Sequence, residues 1–246
     1  MSHLPFDPQA PLSELLDQAR SKYDVYFEPV SIGEERLEIL QIADMEAYIE
    51  QLAAQTKNDL QLPFWAKIWP TSVLLAYFVQ KLPHSPASNN LLELGAGIGL
   101  CGLLAAKRGF RVTLSDIEPD ALLFCQINIL QNNLQDRAEV VKADFTADRL
   151  EQRFEHILGS EILYQQPSYA PLVAFLQAHL AHSPQATILL AQGYSRGAKG
   201  FFELAEPQFA VQHRVLGYKE GASKEDEKHM SVIYKLTAKQ EAGHAP

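Results

Sequence analysis

The chain has 246 residues, of which 47% are hydrophobic and 21% are charged, and its formal net charge is −9. This length and composition suit one α/β domain with an N-terminal extension and a substantial core. The acidic balance disfavours a nucleic-acid partner, because a phosphate-binding face needs clustered Lys and Arg. No apolar run approaches the roughly 18 residues of a membrane span, and residues 1–10 have no apolar stretch of signal-peptide length. We therefore expect a soluble, cytoplasmic protein without a membrane partner, and a monomer by default.

The chain is predicted to divide into an N-terminal accessory extension, residues 1–60, and a main domain, residues 61–246. Apolar residues in the extension recur first with helical, then with alternating, then again with helical spacing. The predicted elements of the extension are a helix over 12–22, a hairpin with strands 25–32 and 36–42, and a helix over 44–55. A further helix over 71–82, bounded by Pro70 and Pro83, opens the main domain.

The stretch from Leu91 to Asp116 organises the main domain. A short apolar run meets a burst of glycines that begins at Gly95, a helix-spaced segment follows over 100–107, and a second strand ends on Asp116. Glycine lets the backbone approach a ligand closely, and the N-terminus of the following helix offers unpaired N–H groups to an anion. An acid at the end of the second strand is placed to bind ribose hydroxyls. This β-α-β unit predicts a nucleoside-bearing cofactor.

Two classes of cofactor compete for these glycines. Gly97, Gly99 and Gly102 satisfy the G-x-G-x-x-G spacing of dinucleotide-binding folds. The longer string from Glu93 to Gly99 resembles the first motif of S-adenosylmethionine (AdoMet) methyltransferases, in which an acid lies two residues before the first glycine. Dinucleotide-binding folds also usually begin near their first strand, whereas a long segment precedes the glycines here. The pattern therefore favours AdoMet.

The remaining elements alternate between strand and helix and then end in two strands. They are a helix over 119–132, strands over 138–143 and 154–159, a helix over 167–181, a strand over 186–191, a helix over 199–204, and strands over 209–217 and 230–236. Alternation predicts a parallel sheet, and a closing strand pair predicts an antiparallel hairpin. We predict a Rossmann-like α/β fold with a seven-stranded, mostly parallel sheet, helices on both faces, a C-terminal antiparallel hairpin and an N-terminal helix and hairpin.

The cysteines and histidines favour no metal site. Cys101 and Cys125 are the only cysteines, and both fall in apolar helical surroundings, which predicts buried free thiols. The Cys-x-x-Cys and His-x-x-x-His spacings of zinc sites are absent. His179 and His182 lie three residues apart on a predicted helix, where we expect a surface pair.

Separate segments of the chain resemble a single family. The segments Pro63-Phe64-Trp65-Ala66 and Trp69-Pro70, the glycine string, and the segment from Glu161 to Tyr164 are similar to the methyltransferase-like group of seven-β-strand protein lysine methyltransferases. The first two segments resemble most the branch that methylates the β-subunit of electron-transfer flavoprotein. The resemblance covers about residues 62–164 and continues more loosely to the end of the chain.

The resemblance implies a set of cofactor-binding residues, most of them at predicted strand ends. They are Trp69, Glu93, Gly95, Ala96, Gly97, Asp116, Asp144, Phe145 and Ser160. The glycine loop would face the methionine part of AdoMet, and Asp116 would bind the ribose. Phe145 and Asp144 would hold the adenine, which offers a π face and an amine edge.

The resemblance also implies that Glu161 and Tyr164 are the catalytic residues. They match an Asp-x-x-Tyr motif in which this chain has Glu, whose carboxylate reaches one methylene group further. The implied function is AdoMet-dependent methyl transfer to a lysine side-chain amine of a protein substrate. A small-molecule N-methyltransferase and an inactive AdoMet-binding scaffold are the alternatives. The Asn/Asp-Pro-Pro-Tyr motif of enzymes that methylate adenine or glutamine amide nitrogen is absent.

Overall fold

The N-terminal part of the computed structural model consists of two helices and a hairpin. The structure describes residues 4–55, 62–85, 89–219 and 228–239. Its first elements are α1 (Leu12–Arg20), β1 (Val25–Ile32), β2 (Glu35–Ile42) and α2 (Met45–Gln55). The two strands pair antiparallel, with Val25 opposite Ile42 and Ile32 opposite Glu35, so the alternating pattern of these segments predicted the hairpin correctly.

The main part of the chain alternates between helix and strand from residue 70 onward. Its elements are α3 (Pro70–Val79), β3 (Asn90–Leu94), α4 (Leu100–Lys107), β4 (Arg111–Asp116), α5 (Pro119–Gln131), β5 (Ala138–Lys142), β6 (His156–Ser160), α6 (Tyr169–His179), β7 (Thr187–Gly193), α7 (Lys199–Ala205), β8 (Phe209–Lys219) and β9 (Lys228–Ala238). Short 3-10 turns precede α3 at Phe64–Ala66, α6 at Gln166–Ser168 and α7 at Tyr194–Arg196.

The seven strands of the large sheet lie in the order β5-β4-β3-β6-β7-β9-β8. The first five are parallel to one another, and β9 runs antiparallel to both β7 and β8. The predicted mostly parallel sheet with a C-terminal antiparallel hairpin is therefore confirmed. The chain winds outward from β3 to β5 and then returns to the other side of β3. In open α/β sheets, ligands bind outside the carboxyl ends of the strands at such a reversal.

Alternate residues of the parallel strands face two separate hydrophobic clusters. Leu91 of β3 points into a cluster with side chains of α3, α4, α5 and the N-terminal hairpin. Leu92, its neighbour, points into a second cluster with α6 and α7. This period of two is expected of a strand that is buried on both faces. The helices therefore lie on both faces of the sheet.

The N-terminal hairpin packs directly onto α5. The Leu40 N–H donates to Asn128 Oδ1 at 2.8 Å, and Asn128 Nδ2 donates to the Ile98 carbonyl at 3.0 Å. Ile39 and Leu40 are fully buried in the same cluster as α4 and α5. The N-terminal part thus shares its core with the main domain. The predicted boundary at residue 60 lies outside the described residues.

His179 corrects one expectation from the sequence. His182 is exposed, but His179 is buried, and its ring stacks on Phe175 at 3.9 Å between centroids. Its Nε2 accepts from the Leu150 N–H at 2.9 Å, so Nδ1 is free to donate to the Phe175 carbonyl at 2.7 Å. The expected surface pair is wrong, because His179 lies on the inward side of α6, where it fastens the loop that follows β5.

The described ranges contain no group of three or more His, Cys, Asp or Glu side chains arranged to hold a metal ion. Within the same ranges, every helix is too short or too polar to cross a membrane. Both cysteines are free and buried, as their apolar surroundings predicted.

Candidate functional site

The carboxyl ends of the five parallel strands bring the predicted site residues to one edge of the sheet. The strand register fixes this arrangement. The last paired residues are Leu94 with Ser115 and Gly159, Asp116 with Lys142, and Ser160 with Ala191. The glycine turn, Asp116, Asp144, Glu161 and Gly193 therefore follow neighbouring strands at the same edge.

The glycine turn between β3 and α4 requires glycine for backbone reasons. Gly95 and Gly97 have φ values of +58° and +56°, in the left-handed region that side chains with a Cβ rarely adopt. A Cβ on Gly97 would lie 2.7 Å from the Trp65 carbonyl oxygen, because the segment before α3 crosses the turn closely. Between the two glycines, the Ala96 N–H donates to the Ser115 carbonyl at 3.0 Å. The turn is thus held between the segment before α3 on one side and the end of β4 on the other.

Glu93 lies beneath the turn. Its carboxyl group is buried, and Oε2 accepts from the Gly102 N–H in the first turn of α4 at 2.7 Å. Burial raises the pKa of Glu93 to about 8, in spite of that hydrogen bond. The side chain is therefore mostly protonated at neutral pH, and it ties the start of α4 to the sheet.

Asp116 ends β4 with both carboxylate oxygens held by backbone N–H groups. Oδ2 accepts from Gly97 at 2.9 Å, and Oδ1 accepts from Glu118 at 3.0 Å. The residue is only 7% exposed, and burial raises the pKa of Asp116, while these hydrogen bonds oppose the rise. A carboxylate offers about four lone-pair directions, so two are left for a ligand. The next residue, Ile117, is 48% exposed and gives the edge an apolar face that the sequence analysis missed.

Asp144 and Phe145 follow β5 in a tight turn. Asp144 Oδ1 accepts from both the N–H and the hydroxyl of Thr146, at 2.8 and 2.6 Å. This oxygen is thus already used to shape the loop. Phe145 is half-buried and packs against the hydrophobic cluster beneath α6.

The two tryptophans have different surroundings. Trp65 packs edge-to-face on Phe124 at 5.0 Å and on Tyr23 at 5.9 Å, as an anchor in the core does. Trp69 is half-buried directly before α3, and its indole Nε1 donates to the Phe64 carbonyl at 2.9 Å. The structure therefore separates a packing role for Trp65 from a position at the entrance of the fold for Trp69.

Glu161 follows β6 in an unusual backbone conformation. Its φ is +55°, which is uncommon for a residue other than glycine, asparagine or aspartate. Oε1 accepts from the Gly193 N–H at the end of β7, at 2.9 Å. Oε2 is buried and has no hydrogen-bond partner among the described residues, and Arg196 Nη1 lies 3.7 Å from it. Neither Gly193 nor Arg196 was predictable from the sequence, because only the register between β6 and β7 places them beside Glu161.

Ser160 and Tyr164 flank Glu161. The Ser160 hydroxyl donates to Thr71 Oγ1 at 3.1 Å, which links the end of β6 to the start of α3. Tyr164 is 59% exposed. Partial burial, and then the negative charges of Asp116, Glu118 and Asp144, raise the pKa of Tyr164. The Tyr164 hydroxyl therefore lies within electrostatic range of the acids at the ends of β4 and β5.

The chain is similar in sequence to known lysine methyltransferases. A family model described as lysine methyltransferase matches residues 50–208. Protein N-lysine methyltransferase METTL21A from Danio rerio is 31% identical over 154 residues, which make up 60% of this chain and 69% of the relative. EEF1A lysine methyltransferase 3 from Mus musculus is 32% identical over 148 residues, 58% of this chain and 62% of the relative.

A solved structure agrees with the fold. The tRNA (uracil-54, C5)-methyltransferase of Pyrococcus abyssi, crystallised with S-adenosyl-L-homocysteine, superposes with a TM-score of 0.53 at 15% identity. The match covers 86% of this chain and 44% of that one. The two chains thus share the arrangement of sheet and helices.

Proposed function

The chain belongs to the lysine methyltransferase family, and from that premise we propose that it methylates the side-chain amine of a lysine in a protein substrate. It is an AdoMet-dependent methyltransferase. The protein acceptor is supported by two relatives whose names specify protein N-lysine or EEF1A lysine methylation. The finer resemblance to the electron-transfer flavoprotein branch and the cytoplasmic location stay predictions.

The residues at the ends of β3 and β4 fit AdoMet. Asp116 has lone pairs to spare for two ribose hydroxyls, and the exposed Ile117 beside it suits an apolar ring face. Gly95 and Gly97, on either side of Ala96, have a left-handed backbone and no Cβ, so the chain at these two positions leaves room for the methionine part. When bound, AdoMet supplies a methyl group already activated on a sulfonium.

The other predicted cofactor residues would surround AdoMet from different sides. Phe145 and Asp144 would border the adenine, Ser160 would line the pocket after β6, and Trp69 would close it from the side of α3. Glu93 would act from beneath, because its buried carboxyl holds the Gly102 N–H, and thereby the glycine turn, in place.

The unpartnered Oε2 of Glu161 is the observation that carries the proposed acceptor. A buried carboxylate oxygen without a donor is costly, so the site is incomplete until a donor arrives. An ammonium group has three N–H donors and no acceptor, and it brings the opposite charge. Glu161 would therefore bind and orient the lysine side chain.

Tyr164 constrains how the lysine loses its proton. A free lysine has a pKa of about 10.4, and a nearby carboxylate raises that value further, so loss of solvent contact must lower it before transfer. Because its own pKa is raised, Tyr164 keeps its proton at neutral pH and cannot serve as a phenolate base. It would orient the amine by hydrogen bonding, while the proton leaves to water.

Incubation of a cell lysate with the enzyme and methyl-labelled AdoMet tests the proposal. We expect label in a discrete protein band that yields methyl-lysine on hydrolysis, and its loss with Glu161→Gln. Label only in small molecules would replace the proposal with the small-molecule N-methyltransferase. Bound AdoMet without transfer to any fraction would establish the inactive scaffold.

A further inference from the structure

Glu161 has one carboxylate oxygen anchored and one oxygen waiting for a donor. The Gly193 N–H fixes Oε1, and the side chain as a whole is only 16% exposed. Oε2 has no hydrogen-bond partner in the described part of the chain. A buried carboxylate in a protein is usually paired with a positive charge.

Arg196 supplies that charge without a hydrogen bond. Its Nη1 lies 3.7 Å from Glu161 Oε2, which is close enough for a Coulomb attraction, weakened by solvent, but too far for a hydrogen bond. The Arg196 side chain is 52% exposed. A guanidinium that is half in water and makes no directed bond can leave its partner at small cost.

The backbone that carries Arg196 is held more firmly than its side chain. The Gln192 Nε2 donates to the Arg196 carbonyl at 3.4 Å, and Ala198, two residues on, is buried. The amide oxygen of Gln192 is itself buried without a partner among the described residues. The guanidinium can therefore swing toward solvent while its backbone and the carboxylate stay in place.

We propose that Arg196 is a specificity-determining residue, which occupies the position of the acceptor ammonium on Glu161 until a substrate amine displaces it. An arriving ammonium gains the hydrogen bonds to Oε2 that Arg196 does not make. A neutral or anionic acceptor brings no charge to replace the guanidinium, so it leaves the ion pair closed. The inference rests on the proposed lysine acceptor and adds the residue that selects for its charge.

Binding of n-butylammonium, a mimic of the lysine side chain, tests the inference. The Gly193 amide resonance reports on Glu161 in an NMR titration, because this N–H donates to Oε1. We expect Arg196→Met, which keeps an unbranched apolar stem and removes the charge, to lower the apparent dissociation constant several-fold. Arg196→Lys should remain near wild type. Lys199→Met is the matched control, since Lys199 is an exposed cation that pairs with Glu203 instead.

An unchanged or weaker affinity of Arg196→Met for n-butylammonium would overturn the inference. A tighter affinity of Lys199→Met equal to that of Arg196→Met would do so too, because it would reduce the effect to net charge. The labelling assay separates this failure from failure of the proposed function. Label in methyl-lysine together with an unaffected Arg196→Met variant removes only the role of Arg196.

Discussion

The ends of β3 and β4 and the ends of β6 and β7 face the same edge of the sheet but are built differently. On the first side, Glu93 and Asp116 are buried and their oxygens accept from backbone N–H groups. On the second side, Glu161 Oε2 and Gln192 Oε1 are buried without hydrogen-bond partners in the described chain, and Glu161 adopts a left-handed backbone. The acids of the first region have backbone hydrogen bonds, whereas the second region keeps polar oxygens without one among the described residues.

The difference separates two tasks of one site. A cofactor of fixed shape benefits from a rigid receptor that loses little entropy on binding. In the proposal above, the acceptor lysine of another protein binds where hydrogen bonds are missing, by direct exchange with Arg196. Strain and unsatisfied polar atoms of this kind are typical of functional positions.

Glu161→Gln is expected to have the largest effect, because it alters the side of the site formed by the ends of β6 and β7. The amide keeps an acceptor for the Gly193 N–H but removes the charge that attracts the ammonium. We expect transfer to fall by roughly 100-fold, in line with the loss of a charged hydrogen bond, with unchanged AdoMet affinity. Transfer kinetics and calorimetry with AdoMet measure the two effects. Near-normal turnover of Glu161→Gln would remove Glu161 from the acceptor site.

Asp116→Asn tests the side formed by the ends of β3 and β4. The amide nitrogen of asparagine cannot accept a hydrogen bond, yet it must face one of the two backbone N–H donors that the carboxylate binds. The substitution also removes the negative charge that would bind the ribose hydroxyls. We expect AdoMet affinity to weaken by roughly 10-fold, measured by calorimetry. Asp136→Asn is the control, because this exposed acid lies at the opposite edge of the sheet. Equal affinities for the two variants would contradict the ribose assignment.

Glu93→Gln probes how the side formed by the ends of β3 and β4 responds to pH. The pKa of Glu93 is about 8 in the folded protein against an ordinary 4.5, so the folded state holds more protons between these values. The contribution of Glu93 to the free energy of unfolding is therefore fully present below about pH 4.5 and is lost as the pH rises through 8. Wild type should lose about 3 kcal/mol between pH 6 and pH 9 from this group, and Glu93→Gln should not. Urea unfolding at both pH values measures the difference.

Glu151→Gln provides the reference for that measurement, because Glu151 is an exposed acid on the loop before β6. Its pH dependence should match that of wild type. If Glu93→Gln shows the same slope as Glu151→Gln, the buried carboxyl does not titrate as described.

Tyr23→Phe is expected to have the smallest effect. The Tyr23 hydroxyl donates to Asp120 at 2.6 Å, and its ring packs on Trp65, whose carbonyl crosses the glycine turn. We expect a stability loss of about 1 kcal/mol and a slight weakening of AdoMet binding. Tyr26→Phe, on the exposed face of the hairpin, should change neither. A loss of stability with fully preserved AdoMet affinity would show that the N-terminal part does not support the glycine turn.

Local patterns predicted most of the fold, because periodicity and glycines act over a few residues. The segment 100–107 was predicted and observed as a helix with the same bounds, since its apolar spacing ends at Gly109. The orientation of side chains was not predictable in this way. His179 faces inward, and Glu93 faces α4, because of neighbours that the strand order supplies. Arg196 reaches Glu161 only because β7 lies beside β6.

The left-handed backbone of Glu161 has a consequence for directed evolution. Glycine at this position would relieve roughly 1 kcal/mol of conformational cost, since it pays no penalty in that region. Libraries screened solely for heat tolerance should therefore enrich glycine at position 161 and accumulate enzymes that unfold about 3 °C higher but no longer modify their target. Screens that couple survival to methylation should retain the acid and gather their gains elsewhere.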